Sequence, residues 1–309
     1  MKRIISVVIP VYGGEYTIDE LILRLIPSVQ NITSNFEIIL VDDCGPDRSW
    51  EKIRENCSRH KNIKGIKLSR NFGQHFAITA GIDLAEGEYI IVMDCDLQDD
   101  PKYISDLYNM SKKGFDIVYT NKQKRKHSVF KNITAYLFNI IFNSLIENKS
   151  NNASSNIGAY SLITRKVANA FKDFNDYQRH YLMVLRWLGF KSTFIFIEHK
   201  DRFAGKSSYN FSKLMRHAIN GITSQSDKLL RIFVTIGLFI SSISFLTILF
   251  IILLYFTRGF MSGWASTIVV LLFSTGVILT GIGVLGIYLG KTYEQTKNRP
   301  KYIIDEMIN

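Results

Sequence analysis

Two long uncharged segments near the C-terminus restrict the fold of this chain more than any other feature of its sequence. No charged residue occurs from Ile232 to Thr257, and none occurs from Gly259 to Gly290. Each segment is longer than the roughly 20 apolar residues that a helix needs to cross the hydrocarbon core of a bilayer. A core helix of a soluble protein rarely extends so far without charge. The pattern therefore predicts two transmembrane helices within residues 231–290.

Basic residues flank these segments unevenly. The connection between them carries only Arg258, whereas four basic residues precede the first segment (Lys213, Arg216, Lys228 and Arg231) and four follow the second (Lys291, Lys297, Arg299 and Lys301). Because cytoplasmic flanks carry the excess of Lys and Arg, the N-terminal region and the tail, residues 291–309, are expected in the cytoplasm. The chain is thus predicted to be a multi-pass protein of the inner (cytoplasmic) membrane.

The whole chain is basic, with 38 Lys and Arg against 27 Asp and Glu in 309 residues and a formal net charge of +11. No recognition helix or set of stacking aromatics accompanies this charge, so nucleic acid is excluded as a partner. A basic face near anionic lipid headgroups is the preferred interpretation. Residues 210–230 follow helical spacing and predict either an amphipathic helix lying on the membrane or a core helix. The three cysteines have no metal-ligand spacing and predict neither a zinc site nor a disulfide framework.

Residues 1–209 read as one α/β domain. Short, β-branched apolar runs alternate with amphipathic ones, which is typical of a mainly parallel sheet with helices on its faces. The predicted strands are Ile4–Pro10, Glu37–Val41, Ile63–Leu68, Tyr89–Met93 and Asp116–Tyr119. The predicted helices between them are Ile18–Val29, Ser49–Ser58, Phe76–Leu84 and Lys102–Lys112, with a further amphipathic helix at Lys131–Leu145.

Acidic residues follow two of these strands at the edge where ligands bind in parallel sheets. Asp94, Asp96 and Gln98 come directly after Tyr89–Met93, and their oxygens suit Mg²⁺ or Mn²⁺ together with substrate phosphates. Asp42 and Asp43 follow the second strand, where a carboxylate can accept hydrogen bonds from a nucleotide base or ribose; the alternative is that Asp43 or Asp47 caps a helix or a turn.

Two further strand ends carry groups suited to a nucleotide. Tyr12 follows the first strand and can stack on a base, with Pro10 before it and Glu15 after it, while Arg70 follows the third strand. Neither a Walker A loop nor a GxGxxG motif is present, so P-loop and dinucleotide sites are excluded.

These motifs together resemble the polyprenyl-phosphate glycosyltransferases of glycosyltransferase family 2, which include bactoprenol glucosyltransferases and dolichol-phosphate mannose synthases. The resemblance rests on VVIPVY, VDD, LSRNFGQ, ITAGID, GEYIIVMDCDLQDDP, GFDIVY and the terminal GIGVLGIYLGKTYEQTKNRPKYI. It covers nearly the whole chain and implies a GT-A fold, an inverting mechanism and a nucleotide-diphosphate-sugar donor, with UDP-hexose favoured. It also implies polyprenyl (undecaprenyl) phosphate as the acceptor.

The resemblance assigns roles to individual residues. Asp42 would contact the base, while Asp94, Asp96 and Gln98 match DxDxQ and would hold the metal on the donor diphosphate. The implied donor site comprises Pro10, Tyr12, Glu15, Asp42, Asp43, Arg70, Asp94 and Asp96. The implied phosphate and acceptor contacts are Arg125, Lys131, Arg202 and Lys206.

One departure from the family concerns catalysis. The family's Gly-Asp-Phe-Arg appears here as Gly158 to Ser161, so Ala159 replaces an acidic residue. A phosphomonoester has its second pKa near ~6 and attacks without a strong base, whereas a sugar hydroxyl needs one. For a hydroxyl acceptor the candidate bases are Asp176 and His180, which join Asp96 as predicted catalytic residues.

Three functions are therefore weighed. The leading hypothesis is transfer of a hexose to polyprenyl phosphate at the cytoplasmic leaflet, for cell-surface glycan synthesis or modification. The alternatives are extension of a lipid-linked oligosaccharide and a non-catalytic membrane scaffold. Small residues within Gly237–Ser241 and Gly281–Gly286 also suit contacts between spans and suggest a homo-oligomer. The sequence does not identify the donor sugar or its nucleotide base.

Overall fold

The computed structural model describes residues 3–122, 157–176, 179–198, 228–258 and 263–308. The chain forms two compact units. The first comprises Met1–Ile133, Asn148–Tyr209 and Arg299–Asn309, and the second comprises Thr134–Glu147 and Asn210–Asn298. The helix predicted at Lys131–Leu145 lies outside the described residues, as does the helix predicted at 210–230 except for its last three residues, 228–230, which belong to the long helix that follows.

The first unit is built around one sheet. Its strands are β1 (Ile5–Val11), β2 (Phe36–Asp42), β3 (Ile63–Leu68), β4 (Tyr89–Val92), β5 (Ile117–Lys122), β6 (Ile157–Thr164), β7 (Ser192–Ile197) and β8 (Ile304–Ile308). Its helices are α1 (Ile18–Gln30), α2 (Ser49–Arg59), α3 (Gln74–Leu84), α4 (Ile104–Lys112, preceded by a 3₁₀ turn at Pro101–Tyr103), α5 (Arg165–Asp173) and α6 (Tyr181–Leu188).

The eight strands lie in the order β7-β5-β6-β4-β1-β2-β3-β8. Strands β4, β1, β2 and β3 are parallel neighbours, whereas β6 and β8 run antiparallel to theirs. Helices α1, α2 and α4 bury their apolar faces on one side of the sheet, and α3, α5 and α6 on the other. The predicted α/β class and mainly parallel sheet are confirmed.

Helix α3 lies close against the centre of the sheet. Gly81 makes this approach feasible, because a Cβ at that position would overlap Cγ1 of Val8 in β1. Connections β1-α1-β2-α2-β3 build the sheet in one direction, and α3 then carries the chain back so that β4 pairs on the other side of β1. This reversal creates a crevice between the ends of β1 and β4, the usual ligand site of such sheets.

Sequence patterns located the first five strands to within three residues at each end. β3 has the predicted bounds, and β1 extends one residue further, to Val11. β5 differs most, since it continues to Lys122 through the polar residues Thr120 and Asn121. The later elements α5, α6, β6, β7 and β8 were not predicted. Most notably, β8 lies in the predicted tail and forms an edge of this sheet, beside β3.

The second unit contains two long helices, α7 (Lys228–Arg258) and α8 (Trp264–Thr296). Within the described residues, one segment has the length and composition of a membrane span, the 24 residues Phe273–Thr296, in which a stretch of 18 residues has a mean hydropathy of 1.7. Two helices thus occupy the two predicted uncharged segments, while the crossing of a membrane by both stays a prediction.

A buried ion pair stabilises the end of the sheet opposite the crevice. Glu37 in β2 is fully buried; its Oε1 accepts hydrogen bonds from Ser6 Oγ at 2.6 Å and Glu86 N at 2.7 Å. Its Oε2 lies 3.0 Å from Lys64 Nζ. Although burial opposes ionisation, these partners hold the pKa of Glu37 below its ordinary value.

Replacing Glu37 should therefore weaken the fold. We expect Glu37→Ala to lower the free energy of unfolding by about 3–5 kcal/mol, because the change leaves two donors without their acceptor and the Lys64 ammonium with only its longer, exposed pair to Glu86. Thermal unfolding in detergent measures the effect. The control is Glu20→Ala, which removes an exposed pair with Arg24 and should change the free energy by less than about 1 kcal/mol. Equal effects of the two variants would contradict the assignment.

Candidate active site

The candidate site is formed by the loops that follow β1, β2, β3 and β4. Pairing between β1 and β4 ends at Val8 and Val92, so Pro10 lies beyond the last residue of β4 and its missing N–H costs no bond to that strand. Beyond these residues the loops after β1 and β4 separate, and these two loops carry the first side chains of the predicted site.

The loop after β1 is fixed to the loop after β2 by a small polar network. Asp47 Oδ2 accepts from the backbone N–H of Glu15 at 2.9 Å, and Ser49 Oγ accepts from that of Gly14 at 2.8 Å. Ser49 Oγ in turn donates to Asp47 Oδ1 at 2.6 Å. Asp47 therefore has the capping role that its turn position suggests. Tyr12 remains 56% exposed, with its ring accessible for stacking.

Asp42 is a buried carboxylate with little compensation. It is 3% exposed, and its Oδ1 accepts a long bond of 3.4 Å from the backbone N–H of Gly45. Burial above all, with a smaller contribution from the neighbouring charge of Asp47, raises the pKa of Asp42 to about 6, although the bond from Gly45 opposes this shift. Folding thus retains a carboxylate where ionisation is unfavourable, as functional sites often do.

Asp43 next to it has a different environment. Its Oδ1 and Oδ2 accept hydrogen bonds from the backbone N–H groups of Phe72 and Gly73, at 2.7 and 2.8 Å. Burial raises the pKa of Asp43, although these two bonds oppose the shift. Asp43 thereby holds the loop after β3, which carries Arg70, and the Arg70 guanidinium stacks 4.2 Å from the centre of the Phe72 ring.

The loop after β3 also contacts the acidic motif after β4. Gln74 begins α3 just after Gly73, whose φ of 103° favours glycine. The side-chain Nε2 of Gln74 donates to Asp94 Oδ1 at 2.7 Å. Sequence reasoning did not single out Gln74, although it ends the motif LSRNFGQ, and its position at a strand end was the available signal.

Asp96 lies in a tight turn after β4. The backbone N–H of Gln98 donates to Asp96 Oδ1 at 3.1 Å, and Leu97 between them has a φ of 61°. Within the described ranges, no three His, Cys, Asp or Glu side chains are grouped to hold a metal ion. Two nearby carboxylates nevertheless fit Mg²⁺ or Mn²⁺, which take one or two protein carboxylates and complete their shell with phosphates and water.

Residues Gly158 to Ser161, which stand where the family has Gly-Asp-Phe-Arg, lie in β6. Ala159 packs partly buried against the apolar cluster beneath α3, α5 and α6. Tyr160 is fully buried and its hydroxyl donates to the Asp100 carbonyl at 3.2 Å. No acidic side chain replaces Ala159 at that position of the strand, so the departure seen in the sequence is retained in the fold.

The two candidate bases lie between α5 and α6. Asp176 is exposed, and His180 is the residue just before α6. The His180 ring lies 4.0 Å from the ring of His75, which follows Gln74 in α3. His180 is thus close to the beginning of α3, whereas Asp176 lies in the exposed segment that follows α5. The predicted acceptor contacts Arg125, Lys131, Arg202 and Lys206 lie outside the described residues.

We expect the ionised carboxylate of Asp42 to lower the free energy of unfolding. Its pKa is raised from 3.8 to about 6, so ionisation costs the folded state nothing below pH 4 and up to about 3 kcal/mol above pH 6. We expect Asp42→Asn to be more stable than the native chain at pH 7.5 and equal at pH 4, as measured by thermal unfolding. In contrast, Asp43→Asn should be less stable at pH 7.5, because its amide would turn an N–H toward a backbone donor. A gain for Asp42→Asn that does not depend on pH would contradict this account.

Comparisons with known proteins agree with this geometry. Residues 6–171 match the model of the family described as Glycosyl transferase family 2. An uncharacterised glycosyltransferase of Synechocystis sp. is 35% identical, over 98% of this chain and 95% of its own. The undecaprenyl-phosphate 4-deoxy-4-formamido-L-arabinose transferase of Pectobacterium carotovorum is 31% identical, over 99% of this chain and 94% of its own.

A solved structure shares the fold. The glucosyl-3-phosphoglycerate synthase of Mycobacterium tuberculosis, crystallised with Mn²⁺, UDP and glucosyl-3-phosphoglycerate, aligns with a TM-score of 0.52 at 15% identity, covering 72% of this chain and 80% of its own. The predicted GT-A fold is confirmed. From the match over residues 6–171 and the relatives along nearly its whole length, this chain belongs to glycosyl transferase family 2.

Proposed function

We propose that this chain transfers a hexose from a UDP-sugar to polyprenyl phosphate at the cytoplasmic face of the membrane. The observation that carries the proposal is the acidic motif Asp94–Asp96 at the crevice between β1 and β4. The chain also matches, along 99% of its length, a relative named as an undecaprenyl-phosphate transferase.

The donor nucleotide would occupy the ends of β1 and β2. Asp42 is buried and ionised above its pKa of about 6, so it can accept a hydrogen bond from the N–H of a uracil base. The exposed ring of Tyr12 can stack on that base. Arg70 stands on the loop that Asp43 fixes and supplies a cation for the diphosphate.

Asp94 and Asp96 would hold Mg²⁺ or Mn²⁺, with Gln98 as a further oxygen donor. When bound, such an ion neutralises the charge that develops on the departing diphosphate. The protein's part is to fix its carboxylates beforehand. Gln74 does this for Asp94 and the Gln98 N–H does it for Asp96, so neither side chain has to be reoriented when the donor arrives.

The acceptor would be a phosphate rather than a sugar hydroxyl. An oxygen of the lipid phosphate attacks C1 of the sugar, the bond from C1 to the diphosphate oxygen breaks, and UDP leaves with the bonding electrons. The configuration at C1 inverts. Because a phosphate is mostly a dianion at pH 7, the step needs no strong base, which agrees with the packing of Ala159 against apolar residues.

The path of the chain supports two membrane spans. The chain leaves the sheet after β7 and returns to it as β8, which pairs with β3. Both ends of the intervening segment therefore lie on one side of a membrane, and the number of crossings must be even. If α8 spans, a second crossing lies between β7 and α8, where α7 with 31 residues is the described helix long enough.

A transfer assay tests the enzymatic proposal. Purified full-length protein is mixed with undecaprenyl phosphate, Mn²⁺ and a panel of radiolabelled UDP-sugars, and label entering the organic phase is counted. We expect transfer from one donor, reduced at least about 100-fold in Asp96→Asn because charge stabilisation at the leaving group is lost. Asp176→Ala and His180→Ala should keep most of the activity if the acceptor is a phosphate.

The other outcomes identify the competing functions. Binding of donor without transfer to undecaprenyl phosphate would contradict the phosphate acceptor and favour extension of a lipid-linked oligosaccharide, with Asp176 and His180 as bases. Absence of both transfer and donor binding would favour the scaffold. The homo-oligomer stays a prediction.

Topology has its own test. In spheroplasts, a membrane-impermeant maleimide should label Ser262→Cys, between α7 and α8, while Asn298→Cys, after α8, should be labelled only after permeabilisation. The native chain, with its three cysteines, gives the background. Labelling of both positions from the same side would overturn the arrangement of two spans.

A further inference from the structure

The tail after α8 belongs to the first unit and makes two kinds of contact with the rest of it. Strand β8 pairs with β3, and beside it Glu306 Oε2 accepts from Trp50 Nε1 at 3.0 Å. These contacts complete the edge of the sheet. Before β8, the three residues Lys301–Ile303, which we call the strap, contact elements that carry site residues.

The strap holds one end of the loop after β3. The carbonyl of Ile303 accepts from the backbone N–H of Ser69 at 3.0 Å. Asp43 holds the other end of the same loop through Phe72 and Gly73. Arg70 therefore lies between two fixed points, one supplied by the end of β2 and the other by the C-terminal tail.

The strap also fixes the segment after α5. Lys301 Nζ donates to the Phe174 carbonyl at 2.9 Å and lies 3.3 Å from Asn175 Oδ1. The Phe174 carbonyl accepts from Arg179 Nη2 as well, and Arg179 is only 3% exposed. Two cations thus converge on one carbonyl, and one of them, Arg179, immediately precedes His180, whose ring contacts that of His75.

Tyr302 anchors the strap between these two loops. Its hydroxyl donates to Asp83 Oδ2 in α3 at 3.0 Å. Its ring packs against the apolar cluster formed with α3, α5 and α6. The three consecutive residues therefore contact α3, the loop after β3 and the loop after α5.

We propose that the strap is a positioning element of the transferase site, which holds the Arg70 loop and the segment before His180 in the arrangement that binds the donor. The inference rests on the proposed function. It assigns to the end of the chain a role in substrate affinity, beyond stabilisation of the sheet edge.

The variants separate positioning from stability. Lys301→Met removes the ammonium and keeps most of the aliphatic stem, and Tyr302→Phe removes one hydroxyl. We expect the double variant of the full-length protein to raise the KM for the UDP-sugar about tenfold, or about 1.4 kcal/mol of binding free energy, with kcat within twofold. Lys301→Arg, combined with native Tyr302, should retain the native KM.

Glu306→Ala is the matched control in the same tail. It removes the bond from Trp50 at the sheet edge and should lower the thermal midpoint without changing the KM. An unchanged KM in the double variant, or an equal rise in Glu306→Ala, would overturn the strap's positioning role.

Hydrogen exchange gives a readout that needs no transfer. In the double variant, amides of residues 69–73 should exchange faster, while those of β1 stay protected. If native protein lacks transfer and donor binding, the proposed function fails, and exchange alone decides whether the strap orders the Arg70 loop. Unchanged exchange at residues 69–73 would overturn the inference whatever the activity.

Discussion

The pairing of β1 with β2 on one side and β4 on the other is the constraint on which the rest of this structure depends. A parallel sheet extended from both sides of one strand needs connections that leave in opposite directions, so a crevice forms where these connections separate. The side chains that follow β1, β2, β3 and β4 therefore meet at one edge. Their proximity is a consequence of chain direction, which sequence spacing alone does not reveal.

Three buried carboxylates near β2 show how partners decide what burial costs. Glu37 has a lysine and two donors and is ionised readily. Asp43 has two backbone donors, which identifies it as a structural anchor for the neighbouring loop. Asp42 accepts one long bond, so its ionisation has an energetic cost to the fold. The same functional group thus has three different environments, set by the groups opposite each oxygen.

How much of the fold and of the candidate site could be predicted from the sequence depended on how far apart in the chain the interacting residues lie. Buried parallel strands are continuous apolar runs, so β1 to β4 and the acidic motif at Asp94–Asp96 were found from local pattern. β8 was missed because an edge strand with Asp305 and Glu306 carries no such pattern, and its partner β3 is more than 230 residues away. The contact of Gln74 with Asp94 and the different environments of Asp42 and Asp43 also depend on contacts between strand ends. No local periodicity in the sequence encodes such contacts.

The position of β8 after the two long helices has a consequence for biosynthesis. Translation proceeds from the N-terminus, so strands β1 to β7 are synthesised before α7 and α8, and β8 is synthesised after both of them. β3 therefore has no β8 to pair with until the segment after α8 has been made. A nascent chain that stops before this segment would present an open sheet edge, which is prone to pairing with other chains. Completion of the sheet thus requires that both long helices have already been synthesised.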